Sequence, residues 1–77
     1  MREQVIRILR ELLPDVNIEE GMDFIKLGVI DSFDVVRIVA TLDEYYGISI
    51  DGLDVVPENF ATVDTIVELL KKNGIRP

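Results

Sequence analysis

Three runs of apolar residues recur at helical spacing along this chain, and no stretch of useful length alternates as a half-buried strand would. In the first run, from Arg2 to Leu13, Val5, Ile8, Leu9 and Leu12 fall at i, i+3, i+4 and i+7, and Pro14 marks its end. The second extends from about Ser32 to Tyr46, where Val35, Ile38, Val39, Leu42 and Tyr46 cluster on one side. Gly47 follows it, free to take the left-handed conformation that closes many helices. In the third, Val63, Ile66, Val67 and Leu70 form a stripe behind Thr62, a good N-cap. Asp64 suits the first turn of that helix, Lys71 and Lys72 the last, and Gly74 its exit. Pro57 fits the first turn of a short helix through Glu58, Asn59 and Phe60. The pattern predicts an all-α fold, a small helical bundle of three main helices plus one short helix. Residues 1–77 are expected to form a single domain, near the size at which one core only just offsets the entropy of folding.

The connections carry expectations of their own. Residues 15–30 are long for a linker in so small a domain, and Asp23 can cap a turn through Phe24 to Leu27. Phe24, Ile25, Leu27, Val29 and Ile30 are apolar enough to pack down as a lid on the core. Ile48 to Val56 is expected to be irregular. Within it, Asp51-Gly52-Leu53-Asp54 lacks the ligand spacing and distal glutamate of a calcium loop and reads as a solvated turn.

Composition narrows the function. With no cysteine and no histidine there is no disulfide, no thiolate nucleophile, no imidazole base and neither of the usual zinc ligands. Every proton transfer would fall to Asp and Glu, and no serine has an evident base beside it, so the chain is not expected to be an enzyme. A net charge of −7 disfavours nucleic acid and anionic lipid and favours a protein partner with a basic patch. No apolar stretch is long enough to span a bilayer, and Met1-Arg2-Glu3-Gln4 does not open a secretory signal, so a cytoplasmic protein is expected.

The second helix carries more apolar surface than one core needs. Phe33, Val36 and Ala40 lie roughly opposite its core stripe, mixed with Arg37 and Glu44 and flanked by Asp34 and Asp43. Such a second stripe either docks another molecule or is covered by the preceding loop. Ser32 stands at the start of this helix, where unpaired N–H groups and the positive end of the helix dipole would favour an attached phosphate. Asp and Ser also cap helices that carry nothing, so capping and covalent anchoring are both open readings of Ser32.

In combination these residues resemble the acyl carrier proteins and related carrier domains that hold 4′-phosphopantetheine on a serine. Leu27-Gly28-Val29-Ile30-Asp31-Ser32-Phe33-Asp34 is similar to their attachment motif, and Ser32 falls on the modified serine. Tyr46-Gly47-Ile48-Ser49-Ile50 resembles the segment closing their second helix, and Phe60-Ala61-Thr62-Val63 the approach to their last. The resemblance implies an acyl-carrier-like fold and a carrier with no catalytic step of its own. A phosphopantetheinyl transferase would load it from coenzyme A, and ligases, synthases or transferases with basic docking patches would use it. It further implies that Asp31, Phe33 and Asp34 complete the attachment motif and that Phe33, Asp34, Val36, Arg37, Ala40, Asp43 and Glu44 meet partners. A monomer is expected.

Two residues depart from the fatty-acid pattern. Arg37 stands where an acid is usual, and Phe33 replaces a leucine; both point to a specialised polyketide, peptide, aminoacyl or lipid pathway. The rival reading is an unmodified acidic helical adaptor that binds a basic partner through the Phe33, Val36 and Ala40 face.

Overall fold

A computed structural model describes residues 1–76. Helix α1 covers Arg2–Leu12, α2 covers Ser32–Tyr46 and α3 covers Val63–Lys72, with short 3-10 turns over Gly52–Asp54 and Pro57–Phe60. Helix α1 packs against both α2 and α3, and the Pro57–Phe60 turn fills the space between α2 and α3. The fold is the all-helical bundle that the apolar spacing predicts, without a strand among the described residues.

The core follows from the stripes. Val5, Ile8 and Leu9 come from α1, Val35, Ile38 and Leu42 from α2, and Val63, Ile66, Val67, Leu69 and Leu70 from α3. Phe24 and Phe60 are fully buried between them, one from the long loop and one from the second 3-10 turn. A buried side chain of this size contributes about 1.5–3 kcal/mol, so the loop is part of the core as much as a connection. Val39 and Tyr46, assigned to the core stripe of α2 from sequence, are only half-buried because they lie at its edges.

Turn chemistry fixes where each helix stops and how the loop returns. Helix α1 ends one residue before the expected Leu13, whose side chain is itself buried ahead of Pro14. The carboxylate of Asp23 accepts the N–H groups of Ile25 at 3.1 Å and Lys26 at 2.9 Å, making the expected turn. Phe24 N–H then donates to the carbonyl of Ala61 at 2.6 Å, which ties the loop to the approach of α3. Arg2 pins the same loop from α1 by pairing with Glu20 at 3.0 Å and with Asp64 of α3. Those two carboxylates, Asp64 foremost, raise the pKa of the guanidinium.

Two expectations are corrected here. Ile18, Phe24 and Ile30 form the lid, but Ile25 and Leu27 do not join it and stand exposed. A single turn that points Phe24 into the core directs these neighbours outward. Gly52–Asp54, expected to be an irregular solvated turn, is a second short helix. Asp51 caps it by accepting the Leu53 N–H at 2.9 Å, while Asn59 donates to the Asp54 carbonyl at 2.8 Å and Lys72 pairs with the Asp54 carboxylate at 3.0 Å.

Candidate functional site

The start of α2 is built by two carboxylates. Asp31 is the N-cap and accepts the Asp34 N–H at 2.9 Å, while the Asp34 carboxylate accepts the Asp31 N–H at 3.1 Å. This reciprocal box satisfies two of the N–H groups that a helix start leaves without partners. The Asp-x-x-Asp spacing is a readable signal for it in the sequence.

Ser32 lies between the two acids as the first residue of the helix, and it is exposed. Its hydroxyl takes no part in the box, so capping does not account for a serine at this position. Among the described residues, the N–H groups of Ser32 and Phe33 also have no partner. An exposed hydroxyl next to two free N–H groups at the positive end of a 15-residue helix suits a covalently attached phosphate.

Phe33, Val36, Ala40 and Glu44 are all exposed, Phe33 at 69% and Val36 at 58%. The preceding loop therefore does not cover the second stripe. At 100° per residue these four side chains span an arc of about 80°, opposite Val35, Ile38 and Leu42, with Ser32 at its margin. Leu27, 59% exposed, adds apolar surface in the segment leading to Ser32.

The other three residues of the expected partner surface have partners within the chain. Asp34 belongs to the cap box. Asp43 closes the far end of α2: its carboxylate accepts the Ile50 N–H at 3.0 Å, and its carbonyl receives the N–H groups of Gly47 and Ile48. Gly47 makes this closure possible at φ 65°, where a side chain would be strained. Arg37 is half-buried; it donates to the Leu12 carbonyl at 3.2 Å and pairs with Asp34 at 3.4 Å. Neither the Asp43 nor the Arg37 link to backbone is visible in the sequence, because each joins segments that only the fold brings together.

A family model described as the phosphopantetheine attachment site matches residues 3–70, well over half of the chain. The chain belongs to this family. Its members carry a covalently attached 4′-phosphopantetheine group, and the chain is accordingly a carrier domain and not a catalytic one. The residues at the head of α2 fit the group, since a hydroxyl and two N–H donors are available there without dismantling the cap. No helix among the described residues is long and apolar enough to cross a membrane.

Proposed function

We propose that the 77-residue chain is one carrier domain that bears acyl or aminoacyl intermediates on a 4′-phosphopantetheine arm attached through Ser32 and delivers them to partner enzymes. The observation that carries this reading is the exposed Ser32 hydroxyl at the first position of a helix capped by its neighbours. When bound, the arm supplies the terminal thiol on which cargo is held as a thioester, a sulfur that the cysteine-free chain lacks.

In loading, Ser32 Oγ would attack the phosphorus on the pantetheine side of the coenzyme A pyrophosphate; the P–O bond to the adenosine half breaks, adenosine 3′,5′-bisphosphate leaves, and the serine proton is lost as the phosphodiester forms. Among the described residues no side chain is hydrogen-bonded to the Ser32 hydroxyl to take that proton. The chain has no histidine, and the carboxylates beside Ser32 are accepting backbone N–H groups. The base therefore comes from a phosphopantetheinyl transferase, which draws the group from coenzyme A. The chain contributes presentation: a fixed hydroxyl and N–H groups that favour the anionic product.

Phe33, Val36, Ala40 and Glu44 form the docking stripe for that transferase and for ligases, synthases or acyltransferases, with Asp34, Arg37 and Asp43 at its margins. The net charge of −7 steers basic partner surfaces from a distance and favours a monomer. A cytoplasmic setting is part of the same proposal. Phe33 and Arg37 support a specialised pathway over general fatty-acid synthesis.

Intact-mass measurement after incubation with coenzyme A and a promiscuous transferase tests the attachment. The native chain gains the mass of one phosphopantetheine group and Ser32→Ala gains none; a native chain that stays unmodified, or an alanine variant that is still loaded, refutes it.

A further inference from the structure

Attachment at Ser32 adds a negative charge between two carboxylates that the cap cannot give up. Asp31 and Asp34 each use an oxygen on the other's N–H, so neither can swing away from a phosphodiester without opening the start of α2. The helix dipole favours the new anion, and the two acids oppose it. The cation linked to this group is Arg37.

Its position is specific. One nitrogen of the guanidinium lies 3.4 Å from Oδ1 of Asp34, the oxygen that the cap leaves free, since Oδ2 is the one accepting the Asp31 N–H. A second nitrogen donates to the Leu12 carbonyl at 3.2 Å, at the negative end of the α1 dipole. Arg37 thus joins the last turn of α1 to the box that flanks Ser32. It lies about 140° around the helix from Ser32, so it acts through Asp34 and not by touching the attached group.

We propose that Arg37 is a positioning residue for the loaded state: it offsets and fixes the Asp34 carboxylate so that the head of α2 stays closed when a phosphodiester occupies Ser32. This rests on the reading of Ser32 as the attachment residue. It also gives a cation on a helix that otherwise presents acids a role within the chain.

The test compares unmodified and loaded forms of the full chain, after mass measurement has shown loading at Ser32. A purely structural clasp between α1 and α2 lowers the melting temperature of both forms equally in Arg37→Gln. The proposal instead expects the loaded form to lose about 2–4 °C more than the unmodified form. The extra loss should shrink in 1 M salt and be restored by Arg37→Lys, which keeps the charge. If Arg37→Gln does not fold, Asp34→Asn provides the reciprocal measurement: with one carboxylate removed, loading should cost the variant less stability than it costs the native chain. Equal losses in both forms of Arg37→Gln, or an Asp34→Asn variant that responds to loading as the native chain does, overturn the role of Arg37. Failure of the mass shift overturns the Ser32 reading instead.

Discussion

Helices α2 and α3 both begin with a reciprocal capping box, made by carboxylates at Asp31 and Asp34 in one and by hydroxyls at Thr62 and Thr65 in the other. The α3 box is half-buried, with Thr62 Oγ1 accepting the Thr65 N–H at 3.0 Å and Thr65 Oγ1 accepting the Thr62 N–H at 3.1 Å. Its first helical residue, Val63, is 1% exposed and belongs to the core. At the same position of α2 stands Ser32, exposed and bonded to nothing in the cap. One device therefore serves two ends: in α3 it seats a helix on the core, and in α2 it holds a helix start open to solvent. Neutral groups suit the first setting, where an unpaired charge would be costly, while in α2 Asp31 is exposed and the half-buried Asp34 is paired with Arg37, so both carboxylates can interact favourably with the dipole.

The sharpest break in this comparison is chemical, since Ser32→Ala should lose all loading whereas Thr62→Ala should load fully. The next largest effect is on stability. Val63→Ala should cost about 2 kcal/mol by leaving a cavity, and Ser32→Ala should stay within about 0.5 kcal/mol of the parent; urea unfolding of the unmodified proteins measures both. A Ser32→Ala loss as large as that of Val63→Ala would mean that the serine is structural.

The two caps can then be separated by salt. Asp31→Ala and Thr62→Ala should each cost about 1 kcal/mol at low ionic strength. Raising the salt should reduce the Asp31 loss, which includes an interaction with the dipole, and leave the Thr62 loss unchanged.

The smallest effect concerns the opposite end of α2. The Tyr46 hydroxyl is buried without a partner among the described residues, and burial first, then Tyr45, raises its pKa above 10.0. The folded state thus holds this proton more tightly than the unfolded chain. That contribution to stability is complete below pH 10 and is lost as pH rises through the folded value. Tyr46→Phe should leave neutral-pH stability unchanged or raise it by up to about 1 kcal/mol, and it should flatten the alkaline decline in thermal melts.

What could be read from sequence divides along the same line. The helix stripes, Gly47, the Asp23 turn and the Thr62 cap were legible because each is a local pattern whose periodicity or turn chemistry is complete within a few residues. Whether Phe33 and Val36 are covered depends on where the preceding loop runs, which the tie from Phe24 to Ala61 decides. Spacing alone could not give that path. Arg37 and Asp43 were read as surface charges because their backbone partners, at Leu12 and Ile50, belong to other segments. The exposed Ile25 and Leu27 show the limit of composition: an apolar loop need not bury every apolar residue.

The double closure of α2, by the carboxylate box at its head and by Asp43 and Gly47 at its tail, makes this helix a ruler. Glu44 lies twelve residues from Ser32, roughly 18 Å at 1.5 Å per residue, and side-chain hydrogen bonds at both ends favour that interval. An enzyme that grips the far half of the helix therefore finds the tether point at a set distance, and all variation in reach must come from the tether itself.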